Sequence, residues 1–324
     1  MTENELSLED RIQKIRQMTD NKLLLEDRIQ KIRQVIGKYG EENFYISFSG
    51  GKDSTVLSAL IDLAIPGNKI PRVYANTGVE YRLILEFVER ERERDERIVV
   101  IKPSIPIKPM LEKEGYPFKS KVHAHAVNLY QTGSKNKMVQ GYLGERPESW
   151  HSRTCPKILR YQFDKRDILR ISDKCCIRLK EEPLANYGRE NNKKITILGT
   201  MRAEGGRRSK LQCLLFEGSK LKRFQPLAPI TKEWEDWFIE KENIEISEIY
   251  KPPYNLERTG CKGCPFALHL QNELDVLEKY FPAERKQCEI IWKPVYDEYR
   301  RIGYRLKKDD GYKQMTLEDY GVDT

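Results

Sequence analysis

The alternation of apolar and polar positions is clearest from Asn43 onward. NFYISFS is a short apolar run of buried-strand type, and STVLSALIDLAI after it carries apolar residues at helical spacing. KIPRVYANTG then predicts a second strand ending at the turn Asn76-Thr77-Gly78. VEYRLILEFVERERER predicts a second helix and RIVVIKPS a third strand. Strands alternating with helices in this way predict an α/β fold with a doubly wound, mostly parallel sheet. In such sheets ligands sit beyond the carboxyl ends of the strands, where SGGKDS and ANTG both fall.

The flanks read differently. LEDRIQKIRQ occurs at Leu8–Gln17 and again at Leu25–Gln34. Leu8, Ile12 and Ile15, like Leu25, Ile29 and Ile32, fall at helical spacing, so one or two amphipathic helices are expected, the second packing ahead of the first strand. Two copies fall short of a solenoid; the first is expected to dock on a partner or stay partly disordered. From about Pro103 to Asp173 the chain is irregular and basic, with KSKVHAHAVNLYQTGSKNKM and the polar loop GERPESWHSRTCP. KKITILGTMRAEGGRR restores a strand that runs into a Gly/Arg turn, and Cys213 falls in an apolar strand. From about Phe224 come a helix (TKEWEDWFIEKEN), a Pro/Gly-rich cysteine loop and two charged helices to Arg301. The expected organisation is a helical extension over residues 1–40, a nucleotide-binding α/β domain over 41–250, and a cysteine-loop and helical region over 251–324.

Composition narrows the partners. Of 324 residues, 39% are apolar, 33% charged and 10% aromatic, a soluble globular profile. No apolar run approaches the roughly 20 residues that cross a bilayer, and MTENELSLEDRIQ lacks a signal-peptide core. A cytoplasmic protein with no membrane partner is expected. The 58 Lys and Arg exceed the 50 Asp and Glu, for a net charge of +8. That suits nucleic acid or an anionic nucleotide and demands neither. Seven cysteines in a cytoplasmic chain direct attention to metal or redox chemistry.

SGGKDS has the makings of a phosphate site. Gly50 and Gly51 let the backbone approach an anion without a Cβ in the way, and the helix that follows presents unsatisfied N–H groups and a partial positive charge. Lys52 adds a full charge; Ser49, Ser54 and Thr55 add hydroxyls. A plain helix-capping turn is the bland alternative. The spacing does not fit G-x-x-x-x-G-K-[ST], which excludes an ordinary P-loop. The segment resembles the signature of the PP-loop superfamily, the N-type ATP pyrophosphatases with an adenine nucleotide alpha hydrolase-like fold. That resemblance implies ATP cleavage between the α- and β-phosphates, with adenylation of an acceptor. It places Ser47, Ser49, Gly50, Gly51, Lys52, Asp53 and Ser54 on the nucleotide, Lys52 and Asp53 in catalysis, and Mg²⁺ beside Asp53. Asn76, Thr77, Gly78 and Glu80 resemble the turn near the nucleoside, with Asn76 where that turn commonly has Asp.

Cys175-Cys176 and Cys261-Lys262-Gly263-Cys264 suit a tetrahedral zinc site or an iron–sulfur centre, or stand as buried thiols. Adjacent cysteines diverge, which is awkward around one zinc ion and natural at separate corners of a four-iron cube. KCCIRLKEEPL, GTMRAEGGRR, PLAPITKEWEDWFIEKENIEISEIY and RTGCKGCPF resemble, in order, the iron–sulfur members of the adenylyl-sulfate and phosphoadenylyl-sulfate (PAPS) reductase family. By that resemblance Cys175, Cys176, Cys261 and Cys264 hold a [4Fe-4S] cluster. Gly199, Arg202, Arg207 and Arg208 face nucleotide or sulfate anions, a task for which the arginine fork is suited. Cys155, beside His151 and Arg153, is a candidate nucleophile. Cys288 is unassigned, and His123 and His125 point the same way if KVHAH is a strand.

Sulfonucleotide reductases typically carry a C-terminal ECG-[IL]-H cysteine, whereas this sequence has no cysteine after Cys288. The intact Lys52 is more typical of ATP-using relatives. Together these imply an enzyme that adenylates an acceptor with ATP in sulfur transfer, drawing on a sulfur donor or thiol protein. The alternatives are reduction of adenylyl sulfate or PAPS, and an idle nucleotide-binding subunit of a complex or homo-oligomer. Tyr130, Tyr142 and Trp150 in the basic middle region suggest a nucleic-acid acceptor.

Overall fold

Phe44–Phe48 (β1) lies inside a six-stranded sheet in the computed structural model, which describes residues 8–146, 148, 155–164 and 169–308. Arg72–Ala75 (β2) and Ile98–Ile101 (β3) extend the sheet on one side of β1. Ile195–Ile197 (β4), Lys220–Phe224 (β6) and Leu214–Glu217 (β5) extend it on the other, in the order β3-β2-β1-β4-β6-β5. All pairings are parallel except that of β5 with β6. Register sets Ile46 beside Arg72 and Phe44 beside Ile195. The strand order reverses direction between β1 and β4, and a doubly wound sheet opens its ligand crevice at such a point.

The chain divides into two compact units. One comprises the chain up to Ala75, Leu83–Ile101 and Pro183–Pro252, and contains the whole sheet. Lys52–Ala64 (α2) and Lys232–Lys241 (α8) pack there through Val56, Leu57, Leu60, Trp234 and Phe238. The duplicated segment forms one continuous helix, Leu8–Tyr39 (α1), and its second copy inserts Leu25 and Ile32 into the same core. The side chains of Leu8, Ile12 and Ile15 in the first copy lie outside the described residues. Arg82–Arg94 (α3) supplies Ile84, Phe87 and Val88 as its buried face.

The second unit comprises Asn76–Arg82, Lys102–Glu182 and the chain from Pro253 on. Its middle region is helical where an irregular stretch was expected: Ile107–Glu114 (α4), Lys121–Gln131 (α5) and Lys137–Leu143 (α6) are followed by a 3₁₀ turn at Lys157–Phe163. The signals overlooked are caps. The side chains of Ser120 and Asn136 accept the N–H groups of His123 (3.2 Å) and Val139 (3.0 Å), satisfying donors at the starts of α5 and α6. The helix also separates the histidines, because residues two apart on a helix face away from each other. His123 is buried with Nε2 2.7 Å from Gln162 Oε1, and burial pushes it down to about 4. His125 is exposed, 3.3 Å from Asp173. Tyr130 and Tyr142 pack on Phe163, the second ring stacked at 5.0 Å. These rings serve the interior of the unit rather than a base-stacking surface; Trp150 lies outside the described residues. Leu270–Tyr280 (α9) and Pro282–Ile302 (α10) complete this unit, and Glu182–Glu190 (α7) carries the chain back to the first. Among the described residues no helix is long and apolar enough to cross a membrane.

Candidate functional sites: a phosphate loop and a cysteine cluster

In the first unit, β1 ends at Phe48 and α2 begins at Lys52, leaving Ser49-Gly50-Gly51 as the turn. Gly50 has φ +67°, and a Cβ there would lie 2.5 Å from Val88 Cγ2, so only glycine fits. The loop braces itself: Ser49 N–H donates to Ser54 Oγ (3.1 Å), Gly51 N–H to Ser49 Oγ (3.3 Å), and Ser54 Oγ to the Gly51 carbonyl (2.9 Å). Gly51 stands at the N-cap with no side chain to satisfy the first turn of α2, an arrangement that presents donors to an anion. Lys52 N–H donates to the Tyr250 hydroxyl (3.2 Å). Gly199, just beyond β4, closes against the same turn; a Cβ there would stand 2.8 Å from the Asp53 backbone oxygen.

Opposite Lys52 are two carboxylates that the sequence motifs did not single out. Lys52 Nζ lies 2.9 Å from Asp236 Oδ1 and 3.3 Å from Glu235 Oε2, both on the first turns of α8. Burial disfavours the Lys52 charge, but Asp236 and Glu235 outweigh it and hold the ammonium above its ordinary range. Glu235 is 1% exposed, and neither of its oxygens accepts a hydrogen bond. Burial first, then repulsion from Asp53, pushes it up to about 8. Asp53 is raised as well, by burial and then by Glu204. Acidic residues on the first turn of a helix behind TKEW were visible in sequence; that they face Lys52 was not.

The Gly/Arg segment spends its arginines locally. Arg202 Nε donates to the Leu211 carbonyl (2.7 Å), and Arg208 pairs with Glu204. The Arg207 side chain lies outside the described residues. Ser47 is half-buried within β1.

In the second unit, Asn76, Thr77, Gly78 and Glu80 close on themselves. Glu80 accepts from Thr77 Oγ1 (2.6 Å), Thr77 N–H (3.1 Å) and Gly78 N–H (3.0 Å), while Asn76 Oδ1 also accepts from Gly78 N–H. Cys175 and Cys176 stand at the head of a helical run that passes through a π-helical turn at Ile177–Glu181, a local irregularity common at functional sites. Their sulfurs are 4.0 Å apart. The hydrogen bond to Cys176 first, then burial and the charges of Cys176, Cys264 and Cys261, push the Cys175 thiol up, which puts the four thiols within electrostatic reach of one another. Hydrogen bonding from Cys175 lowers Cys176 to about 6 despite burial, helped by Lys121 and Lys180. Lys180, another residue missed in sequence, lies four positions after Cys176; Cys261 chiefly raises its ammonium. Among the described residues no three His, Cys, Asp or Glu side chains are arranged to hold a single metal ion.

Three side chains of α10 grip the cysteine loop. Trp292 Nε1 donates to the Lys262 carbonyl (3.1 Å), the Tyr296 hydroxyl to that of Gly263, and the Tyr299 hydroxyl to that of Pro265 (2.9 Å). Gly263 has φ +59°, and a Cβ there would stand 2.8 Å from Cys288 Sγ. Cys288 thus packs behind the loop, where burial pushes it up to about 12. Cys155 is not placed as an activated nucleophile. It is 5% exposed, and burial raises its thiol while Lys119 and Arg160 offset only part. His151 and Arg153 lie outside the described residues. Cys213 immediately precedes β5 and is half-buried.

An uncharacterized protein of Methanocaldococcus jannaschii is 26% identical over 275 residues, which cover 82% of this chain and 53% of that protein. The chain therefore spans about half the length of the curated relative it matches. Among solved structures, the PAPS reductase of Candida auris in complex with phosphate is 14% identical with a TM-score of 0.40, covering 75% of this chain and 91% of that one. The U34-tRNA thiolase NcsA of Methanococcus maripaludis with its [4Fe-4S] cluster is 14% identical with a TM-score of 0.38, covering 91% and 86%. Residues 43–172, which include the phosphate loop and end just before Cys175, match the family model described as phosphoadenosine phosphosulfate reductase domain.

Proposed function

We propose that the chain is an ATP-using enzyme of sulfur metabolism that adenylates an acceptor at the phosphate loop and carries an iron–sulfur cluster on its four clustered cysteines. The observation that carries the nucleotide half is the placement of Lys52 at the uncapped start of α2, directly after Gly50 and Gly51. An acceptor nucleophile attacks the α-phosphorus, the bond from that phosphorus to the bridging oxygen breaks, and pyrophosphate leaves with the electron pair. Lys52 and the first N–H groups of α2 stabilise the charge that builds on the leaving group. Lys52 must first leave its partners Asp236 and Glu235, and a bound polyphosphate offers more negative charge than they do. The buried carboxylate of Glu235, ion-paired with Lys52 and beside Asp53, fits a Mg²⁺ ion held by both carboxylates. That ion would neutralise phosphate charge.

Cys175 and Cys176, with sulfurs 4.0 Å apart, and Cys261 and Cys264, whose charges reach Cys175, would supply the four thiolate ligands that a [4Fe-4S] cluster takes. Such a group would supply one-electron chemistry for sulfur transfer. Lys180 offsets the negative charge of its ligands. Cys155, buried and protonated, takes no part in this reading.

The test is pyrophosphate release from ATP and Mg²⁺, with water as a slow acceptor yielding AMP. Lys52→Met should reduce release by about 10²–10³-fold, the scale of losing one charge-stabilising donor. Formation of sulfite from adenylyl sulfate and a thiol, with no pyrophosphate from ATP, would show a sulfonucleotide reductase instead, the activity that the family match also accommodates.

A further inference from the structure

The segment Asn76–Arg82 is tied to the C-terminal part of its own unit at several successive residues. The Val79 carbonyl accepts the backbone N–H of Lys262 at 2.7 Å. The Tyr81 hydroxyl donates to Glu273 Oε2 on α9 (3.3 Å), and the Arg82 guanidinium lies over the Phe281 ring, 5.8 Å from its centroid. The Arg82 N–H faces both carboxylate oxygens of Glu284, at 3.4 and 3.2 Å. Glu284 stands on the first turn of α10 and is 7% exposed. Its charge is met by an equally buried partner: Lys262 Nζ lies 3.3 Å from Glu284 Oε2 and 2.7 Å from Gln287 Oε1. Lys262 is fixed from a third side, because its carbonyl accepts from Trp292 Nε1.

We infer that Glu284 is a positioning residue for the turn Asn76–Glu80, with Lys262 as its counter-charge, and that recognition of the nucleoside depends on it. Asn76 follows β2 directly, at the carboxyl end of the strand that pairs with β1. A doubly wound sheet takes its ligands at that end. The turn is braced internally, since Glu80 accepts from both Thr77 and Gly78, so it moves as one piece. Its direction is set where the brace ends, at Val79 and Arg82. A carboxylate in the interior is a strong acceptor for a main-chain N–H, and the Lys262 ammonium keeps this one aimed. The nucleoside part of the inference rests on the ATP reading above; the hold on Arg82 does not.

Two double variants of the full-length protein isolate the contact. Lys262→Met with Glu284→Gln keeps an oxygen for the Arg82 N–H; Lys262→Met with Glu284→Leu keeps the bulk and offers no acceptor. Neither leaves a buried charge unpaired, the condition under which an interior ion pair is replaced with least loss. The Arg82 amide, followed by NMR, should exchange about ten-fold faster in the leucine variant than in the glutamine variant, the scale of one hydrogen bond, while amides of α9 are unchanged. ATP and pyrophosphate are then titrated separately; the two share the polyphosphate and differ in the nucleoside. ATP should bind about ten-fold more weakly to the leucine variant, and pyrophosphate equally well to both. Equal Arg82 exchange in the two variants overturns the inference. So does a loss of pyrophosphate binding in step with ATP, which marks a general loosening, and faster exchange with unchanged ATP affinity overturns the nucleoside part. Wild type that binds neither ligand removes the ATP reading and leaves Arg82 exchange to decide the positioning. If the leucine variant does not fold, Lys262→Met with Glu284→Met carries the same comparison.

Discussion

The phosphate loop and the cysteine loop are both glycine-bearing turns, but they are held by different means. Ser49, Gly51 and Ser54 bond mainly to one another within six residues of chain. The cysteine loop is held by Trp292, Tyr296, Tyr299 and Arg305, roughly 30 to 40 positions later in the chain. A self-bonded loop carries its conformation wherever the motif occurs. A loop held from afar has its shape only once α10 has docked. The first leaves a helix start without a side-chain cap; the second brings two thiols onto a turn fixed by distant side chains.

The largest effect expected from breaking that contrast is at the cysteine loop. Cys261→Ser removes one of four sulfur ligands, and iron content after anaerobic purification should fall at least about ten-fold. Cys213→Ser, in the other unit, should leave it unchanged. Zinc in place of iron and sulfide in the wild-type protein would refute the cluster assignment while keeping the four ligands.

A smaller loss is expected where the phosphate loop depends on a neighbour. Gly199→Ala places a methyl 2.8 Å from the Asp53 carbonyl oxygen, backbone against backbone, where nothing can swing aside. Overpacking of this kind costs about 1–3 kcal/mol, read as a lower urea midpoint. Gly37→Ala makes the contrast: this glycine sits in α1 with nothing within 4 Å of the added carbon. It should gain about 0.5–1 kcal/mol from helix propensity.

These differences also explain what could be read from the chain. β1, α2, β2, α3 and β3 follow the apolar pattern residue by residue, because each is a regular element with one or two buried faces. SGGKDS was legible as a tight strand-to-helix turn because its bonds are local. The helices between Ile107 and Leu143 were not, since short helices with mixed faces show little periodicity and their caps, Ser120 and Asn136, are single residues among many polar ones. Glu235 was hidden for a different reason. On an amphipathic stretch an acidic residue reads as solvated surface, and only packing of α8 shows that it is buried facing Lys52. The aromatic grip of α10 was likewise unreadable: Trp292, Tyr296 and Tyr299 fall at core-like helical spacing, and nothing in sequence says that their polar ends meet carbonyls.

The effect that tests the candidate phosphate site most finely concerns Glu235. Its pKa in the folded protein, about 8, exceeds the ordinary 4.5. Between those values the folded state holds a proton that the unfolded state has released, so Glu235 makes stability fall as pH rises through this window. Each pKa unit corresponds to ~1.4 kcal/mol, and the value of about 8 already includes the ion pair with Lys52, so the penalty is on the order of a few kcal/mol. Glu235→Gln should therefore match wild type in thermal midpoint near pH 4.5, exceed it progressively up to about pH 8, and keep a constant margin above. Excess Mg²⁺ at pH 8 should raise the wild-type midpoint by holding Glu235 ionised beside Asp53, and should leave Glu235→Gln nearly unmoved. Equal midpoints for the two proteins at every pH would mean that the carboxylate reaches solvent or a partner on folding, and the magnesium assignment would lose its support.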